Sequence, residues 1–264
     1  MSKVTSEDDL GAARKSLVSG QWADAREQFT AVLAAGERAE ALDGMGTALW
    51  WLGEVRASLG YRERGYVRYR GDGRHAEASM VALDISVCYL TSLENPAAAR
   101  GWIARAHRAA TASGEDRMAG WIWLMNGYIS DDAQEQQQLL SRALDFARRT
   151  GDVDLELVAL ADLGPGLVSA GAVHDGLGML DEAMAGTLGG EYQRLETVVW
   201  TSCSMLAACS LVGDLTRGAA QPTHPWNGSA ARSSRPAAAH TTAESWSRPA
   251  TGSSPRASSA RCWR

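Results

Sequence analysis

Several residue types and patterns are scarce in this chain of 264 residues, and each shortage argues against a kind of site or segment. The four cysteines form no CxxC pair, and no histidine lies at ligand spacing from them, which argues against a zinc site and for free thiols in a reducing compartment. The first residues, MSKVTSEDDL, lack the apolar stretch of a signal peptide, and no run of about 18 apolar residues predicts a membrane span. We therefore expect a cytoplasmic protein that binds no metal and no membrane.

Charge is unevenly distributed along the chain. Residues 218–264 hold six arginines and one glutamate, whereas residues 1–217 hold 20 basic and 30 acidic residues, a net charge of −10. An acidic body of this kind lacks the basic surface that nucleic-acid binding requires. We expect no direct binding of DNA or RNA by this chain.

Two segments share one spacing: a glycine, then an apolar residue two positions later, a small residue at five and an apolar residue at nine. The first copy consists of Gly20, Trp22, Ala25 and Phe29. The second copy consists of Gly171, Val173, Gly176 and Leu180. The glycine ends one helix in a left-handed conformation, and the apolar residue two positions later anchors the next helix. The small residue at the fifth position allows the two helices to approach closely, and the residue at the ninth position fills the core. The spacing predicts antiparallel helix hairpins.

Weaker copies of the turn follow at similar intervals. They are predicted at Gly53, at Asn95-Pro96, at Asp131-Asp132 and at Gly213, with Pro at a first helical position and Asp as a helix N-cap. In the copy that begins at Gly53 the ninth position is Arg62, and we expect Tyr61 to pack in the core instead.

The apolar period of three and four residues predicts six helical units. We expect helix pairs at 8–18 with 22–34, 37–51 with 53–70, 75–92 with 96–112, 115–128 with 132–149 and 153–169 with 172–186, and a last helix at 190–211. Pro165 should kink or interrupt its helix. Alternating apolar and polar runs are absent, so no sheet is expected.

The spacing resembles the tetratricopeptide repeat (TPR), and the match is best from Leu163-Gly164 through Ala183. The longer, degenerate repeats, such as GYRERGYVRYRGDGRHAEASMVAL and GLGMLDEAMAGTLGGE, look like the repeat regions of large bacterial LuxR-type (MalT-like) transcriptional regulators. The resemblance covers about residues 8–217. It implies an all-α, right-handed superhelical array that serves as a sensor or coupling arm and binds a protein or peptide.

The domains that flank such a region in these regulators have no counterpart in the sequence. No GxxxxGK[ST] motif is present, and no helix-turn-helix follows residue 217, so ATP and DNA binding cannot be carried over. Two alternatives stay open: a stand-alone adaptor that binds a peptide, and the repeat region of a nucleotide cyclase-type enzyme.

No arrangement of catalytic residues is recognisable, so the sequence predicts neither enzyme activity nor a cofactor. The acidic run of Asp152, Asp154 and Glu156 is expected on a solvated face or as partners of a helix dipole. His75, His107 and His174 are isolated, and we expect His107 on a helix face.

Large aromatic residues are the best candidates for partner contacts. Trp50 and Trp51 are adjacent, and Trp121 and Trp123 are two apart, so the members of each pair cannot face the same way on a helix. At least one of each pair is expected to reach the groove of a curved array. Nearby arginines would be further anchors. The predicted contact set is Trp50, Trp51, Arg68, Arg70, Trp121 and Trp123.

Residues 218–264 are rich in Ser, Pro and Arg and show no apolar period. If each codon is taken to start at the third base of the present codon, the DNA from His240 onward permits the sequence HYGGVLVATGHWEQAEREL. In that frame Gly, Trp, Ala and Leu take the places of Pro249, Thr251, Ser254 and Ser258. These are the offsets of the first copy at Gly20. The sequence therefore predicts a frameshift between about 214 and 220, which truncates the repeat and leaves a disordered tail at 218–264 without function.

The expected domain organisation is a disordered N-terminus at 1–7, a repeat domain at 8–217 and the tail. The last helix contains the apolar string VVWTSCSMLAACSLV, and helical arrays need polar caps at their ends. We expect this end to promote self-association or aggregation.

Overall fold

The computed structural model describes residues 2–114 and 116–213, with side chains from residue 7 onward. All regular structure in these residues is helical. The α-helices of the described ranges are α1 (Ser2–Val18), α2 (Trp22–Ala35), α3 (Ala39–Trp51), α4 (Val55–Gly71), α5 (His75–Thr91), α6 (Pro96–Ser113), α7 (Ala119–Ile129), α8 (Ala133–Thr150), α9 (Val153–Ser169), α10 (Val173–Gly189) and α11 (Leu195–Val212). A 3₁₀ helix at Asp116–Met118 precedes α7. The predicted tail at 218–264 and the predicted frameshift region lie outside the described residues.

The helices form an array of hairpins. In each predicted pair the two helices pack against each other, from α1 with α2 to α9 with α10, and α11 packs on α9 and α10. Each hairpin also contacts the next one. The predicted all-α array is therefore confirmed. Its ends differ from the predicted bounds: α1 begins at Ser2, within the segment expected to be disordered, and α11 begins at Leu195 instead of residue 190.

The turns have the predicted conformations. The backbone φ angle is 75° at Gly20, 79° at Gly53, 89° at Gly171 and 71° at Gly213, a region that glycine enters without steric cost. Asn95 caps α6 by accepting a hydrogen bond from the Ala98 amide at 3.0 Å, with Pro96 as the first helical residue. The Asp132 carboxylate caps α8 in the same way. The predicted turn with Pro96 at the first helical position and the predicted Asp cap of α8 are confirmed, whereas the cap from Asn95 was not predicted.

The small residues of the repeat permit close helix crossings. A Cβ atom added at Gly176 would lie 2.5 Å from the carbonyl oxygen of Gly164, so α9 and α10 touch backbone to backbone. The ninth-position residues Phe29 and Leu180 are fully buried, as predicted. Ala25 is fully buried as well.

The second-position residues behave differently in the two copies. Trp22 stacks on Trp51, with ring centroids 4.8 Å apart. Val173 was expected to anchor α10 but is largely exposed. The residue that corresponds to Trp51 by its spacing from the turn glycine is Ser202, whose short side chain offers no stacking surface to Val173.

Pro165 does not break its helix. The sequence predicts a kink or an interruption there, but α9 continues from Val153 to Ser169 with Pro165 inside it. Proline removes one backbone hydrogen bond, at a cost of roughly 3 kcal/mol in a helix interior. Helix α9 packs against α8, α10 and α11, and this tertiary packing outweighs the local loss.

Helix α11 bears on the expectation that no segment spans a membrane. Its 18 residues have a mean hydropathy of 1.5, so one helix in the described part of the chain is long and apolar enough to cross a membrane by length and composition alone. In the structure α11 packs along α9 and α10 and buries Met205, Ala208 and Cys209. About 39% of α11 is buried in this packing, and its buried residues include Thr197, Thr201 and Ser204 beside the apolar ones.

Candidate functional site

The first helices of successive hairpins line a shared cleft, which we call the inner cleft. It is narrow, since the space in it that the centre of a water molecule can reach is only about 40 Å³. Its apolar wall consists of Met80, Leu83, Val87, Met125 and Val158. Its aromatic residues are Trp50, Trp121 and Trp200. Its polar residues are Arg62, Asp84, Arg194, Glu196 and Thr197. Helices α3, α5, α7, α9 and α11 all contribute, so the cleft exists only in the folded array.

Arg62 is a buried arginine in the wall of the inner cleft. It occupies the ninth position after Gly53, and only 2% of its surface is exposed. Its guanidinium donates to the Asp84 carbonyl oxygen at 3.3 Å, to the Cys88 sulfur at 3.2 Å and to the Thr47 hydroxyl at 3.2 Å. Its Nε atom is buried and has no hydrogen-bond partner among the described residues. Tyr61, expected to pack in its place, is half-buried and packs against the core cluster that contains Phe29 and Met45.

An ion pair links distant parts of the array across the inner cleft. Arg194 lies in the turn before α11, and its Nη2 atom is 2.6 Å from the Asp84 Oδ1 atom on α5. Its Nε atom is 4.0 Å from Glu196 Oε2, and its Cζ atom is 6.0 Å from the centre of the Trp121 ring. Burial alone would lower the pKa of Arg194, but the charges of Asp84 and Glu196 outweigh that effect and raise it. Arg194 is therefore a charged group held by two carboxylates and an indole.

Two tryptophans of the inner cleft donate hydrogen bonds from their indole N–H groups to carboxylates. The Trp121 indole N–H donates to Asp152 Oδ2 at 2.8 Å, and the Trp200 indole N–H donates to Asp162 Oδ1 at 2.8 Å. The second oxygen of Asp162 is buried and finds no hydrogen-bond partner in the described part of the chain. Burial raises the pKa of Asp162 to about 7, although the bond from Trp200 opposes that shift. These bonds fix the ring positions in the cleft wall.

Asp154 positions the turn that carries Arg194. Its carboxylate accepts hydrogen bonds from the Gln193 amide at 3.0 Å, the Arg194 amide at 3.2 Å and the Thr197 hydroxyl at 2.6 Å. Asp154 was expected on a solvated helix face or as a dipole partner in a first helical turn. It lies in the first turn of α9 but is buried, and its carboxylate accepts hydrogen bonds at the start of α11, whose own N-cap residue gives no side-chain cap. The turn is thereby fixed with Arg194 directed into the inner cleft.

A further carboxylate lies close to the inner cleft. Asp43 Oδ1 is buried and has no hydrogen-bond partner among the residues described. Burial and the charge of Asp84 raise the pKa of Asp43 to about 6, against the opposing effect of Arg62 and Arg194. Burial also raises the pKa of the Cys88 thiol, whose sulfur accepts the bond from Arg62. The wall of the cleft thus holds two carboxylates, Asp84 and Glu196, and two arginines, with the Asp43 carboxyl group close by.

The structure brings only two of the six predicted contact residues into the inner cleft, Trp50 and Trp121. Trp51 stacks on Trp22 outside it. Trp123 lies between the Arg142 guanidinium and the Phe146 ring, at 4.3 Å and 5.7 Å.

The two predicted arginine contacts lie elsewhere. Both are exposed on α4: Arg68 pairs with Asp72 at 3.2 Å, and Arg70 lies over the Tyr66 ring at 5.6 Å. The predicted divergence within each tryptophan pair is what the structure shows, since one member of each lines the cleft and the other does not.

Sequence reasoning missed the charged residues of the cleft. One signal was available for Arg62, because a charged residue at the ninth position breaks the pattern set by Phe29 and Leu180. No signal marked Asp84 and Arg194 as partners, because they are 110 positions apart and belong to different repeats.

A second, more open cavity lies between α6 and α7. About half of its wall is polar, and its polar residues include Arg100, His107, Arg108, Asn126 and Glu135. His107 is exposed on its helix, as expected. Within the residues that the structure describes, no group of three or more His, Cys, Asp or Glu side chains could hold a metal ion.

Comparison with protein-family models gives no match for this chain, and no curated protein matches its sequence. The geometry of the inner cleft is therefore the basis for inferring a function.

Proposed function

We propose that this chain is a helical-repeat scaffold for protein–protein interaction, and that the inner cleft holds a segment of a protein or peptide partner. The observation that carries the proposal is the composition of the cleft. Three indole rings and two arginines from separate repeats converge on one apolar-walled space. Tryptophan and arginine are the residue types that contribute most binding energy at protein interfaces. The proposal assigns no catalytic role and no cofactor to the chain.

A peptide-display selection tests this proposal. The full chain would be panned against random peptides, in parallel with two valine-to-arginine variants. Val87→Arg places a bulky charge in the wall of the inner cleft, whereas Val67→Arg changes an exposed residue on α4. We expect peptides selected on the unmodified chain to bind Val67→Arg equally well and to lose binding to Val87→Arg. Peptides that bind both variants alike would contradict the assignment of the cleft.

Within this proposal the chain acts in the cytoplasm as the sensor or coupling repeat region of a LuxR-type transcriptional regulator. The support is the TPR-like spacing at Gly20 and Gly171, together with the left-handed turns that both glycines make between paired helices. Direct nucleic-acid binding is not part of the role, because residues 1–217 carry a net charge of −10.

The DNA on both sides of the coding region tests the regulator assignment. We expect a reading frame for a P-loop domain upstream and for a helix-turn-helix downstream, in one of the three forward frames. Codons for a cyclase domain would favour the enzyme alternative, and the absence of any flanking domain would favour a stand-alone adaptor. The same sequencing tests the predicted frameshift between about 214 and 220. The prediction is refuted if the present reading frame is confirmed through residue 264 in a strain where the protein functions.

A further inference from the structure

The inner cleft already contains a guanidinium ligand that belongs to the chain itself. Arg194 enters it from the turn before α11 and is bound by Asp84 at 2.6 Å, by Glu196 at 4.0 Å and by the face of Trp121 at 6.0 Å. A carboxylate pair and an indole ring are the groups that recognise a planar cation. The cleft therefore has the groups that hold a guanidinium side chain.

The two arginines of the cleft differ in their access to solvent. Arg62 is 2% exposed and bonds to groups on three sides, so it cannot leave without opening the core. The side chain of Arg194 is 28% exposed and comes from a turn instead of a helix interior. Arg194 is thus the guanidinium that an incoming group can replace.

The charges around the inner cleft favour a cation in the place of Arg194. Without Arg194, the carboxylates of Asp84, Glu196 and Asp43 would face only the single positive charge of Arg62. One further carboxylate, Asp152, accepts a hydrogen bond from the indole N–H group of Trp121 and adds negative potential behind that ring. A cation in front of such a ring is attracted to it.

The unpartnered Nε atom of Arg62 indicates that the incoming cation belongs to a peptide. Buried N–H donors in folded proteins nearly always have an acceptor, and this donor, in the wall of the cleft, has none among the described residues. A free guanidinium or ammonium ion carries no acceptor. A peptide carries a backbone carbonyl beside each arginine side chain, which supplies one.

We propose that the inner cleft binds an arginine side chain of a partner peptide, and that Arg194 occupies this site as an internal competitor until the partner replaces it. The inference rests on the proposed function, since it specifies the chemistry of the partner. It also explains why the turn before α11 is fixed so firmly by Asp154, which keeps the competitor directed into the cleft. Because an occupied site lowers the apparent affinity for an external ligand, removing the internal ligand should raise it.

The test compares short peptides on the full chain and on variants at position 194. The probes are acetyl-Ala-Arg-Ala-amide, the same peptide with citrulline, which is isosteric but uncharged, and the same peptide with glutamate. Binding is followed by tryptophan fluorescence and by calorimetry. Arg194→Ala should bind the arginine peptide about tenfold more tightly than the unmodified chain. The citrulline peptide should bind Arg194→Ala at least about tenfold more weakly than the arginine peptide does. The double variant with Arg194→Ala and Asp84→Asn should bind the arginine and citrulline peptides alike.

Circular dichroism melting checks that each variant is folded at the assay temperature. Arg194→Gln keeps part of the aliphatic stem and a polar, uncharged end, and it replaces Arg194→Ala in the comparison if the latter is unfolded. Equal binding of the arginine and citrulline peptides, preference for the glutamate peptide, or no binding to a folded position-194 variant would each overturn the inference.

The outcome separates this inference from the proposed function. If the display selection yields cleft-dependent peptides that contain no arginine, the scaffold function stands and the inference fails. If the selection yields no cleft-dependent peptide and no short peptide binds, both fail.

Discussion

At the scale of single residues, Arg62 shows how one substitution converts a core position into part of a site. The corresponding residues in the best repeats are Phe29 and Leu180, which are fully buried and apolar. Gly46 leaves room for the stem of Arg62, since a Cβ atom there would lie 2.5 Å from Arg62 Cγ. The guanidinium then lies beside Asp43 and Asp84, whose charges it offsets.

Arg62→Ala should therefore destabilise the chain strongly. It removes the positive charge from buried carboxylates and leaves a cavity, which together cost about 3–5 kcal/mol in free energy of unfolding. The control is Arg68→Ala, because Arg68 is exposed and its pair with Asp72 contributes under about 1 kcal/mol. Urea denaturation measures both. If the two variants lose equal stability, the guanidinium of Arg62 does not compensate the carboxylates beside it.

Asp162 and Asp43 should make stability depend on pH in an unusual direction. Burial raises the pKa of Asp162 to about 7 and, together with Asp84, that of Asp43 to about 6, above the ordinary value of 3.8 for both. Between about pH 4 and 7 the folded state then binds more protons than the unfolded state, so stability falls as the pH rises through this window.

Thermal melting from pH 4 to 8 tests this dependence in the unmodified chain and in two variants. Asp162→Asn cannot ionise, so its melting temperature should fall less with pH than that of the unmodified chain. Asp145→Asn, at an exposed position on α8, should keep the original slope. Stability that rises from pH 4 to 7 in the unmodified chain would show that these carboxylates are not buried in this way.

At the scale of helices, the crossing of α9 and α10 depends on two glycines. A Cβ atom at Gly176 would lie 2.5 Å from the Gly164 carbonyl oxygen and 2.9 Å from the Val168 nitrogen. Both are backbone atoms and cannot move unless the helices separate. The small residue at the fifth position of the repeat is thus a requirement of backbone contact.

Gly176→Ala should destabilise the chain by about 1–3 kcal/mol through overpacking. Gly178→Ala is a matched control in the same helix, where an added Cβ meets nothing within 4 Å. That change should stabilise by about 0.5–1 kcal/mol, because alanine has the higher helix propensity. Chemical denaturation would show opposite signs for two identical substitutions two residues apart. The same sign for both would contradict the close crossing.

At the scale of the whole molecule, α11 is the last helix that the structure describes, and it exposes large apolar side chains. Leu206 is 43% exposed and Leu211 is 47% exposed. The opposite side of α11 packs on α9 and α10. The outer side therefore has the apolar character of a repeat interface.

A chain that ends at residue 217 should self-associate through this outer side, despite its net charge of −10. The double change of Leu206→Lys and Leu211→Lys should shift the chain towards monomer, because it places charge on the associating surface. Val67→Lys, at a 68% exposed valine on α4, should leave association unchanged. Sedimentation velocity over a range of concentrations measures the difference. A monomeric, cooperatively melting 1–217 chain would refute the prediction.

Local patterns in the sequence were sufficient to predict the array. Helix termini follow from glycine, proline and aspartate at fixed offsets, and helix faces follow from apolar periodicity. Both act over a few residues, so the turns at Gly20 and Gly171, the turn at Asn95-Pro96 and the cap at Asp132 could be predicted directly. The continuity of α9 through Pro165 could not, because the packing that opposes a break comes from α8, α10 and α11.

The sequence by itself determined that this protein is a chain of helix hairpins with small residues at the crossings. Only the tertiary structure decided which side chains meet in the inner cleft. Asp84 and Arg194 are 110 positions apart, and Asp154 fixes the start of α11 from another helix. No local spacing encodes such pairs, because they depend on how several successive hairpins stack and bring their first helices to one side.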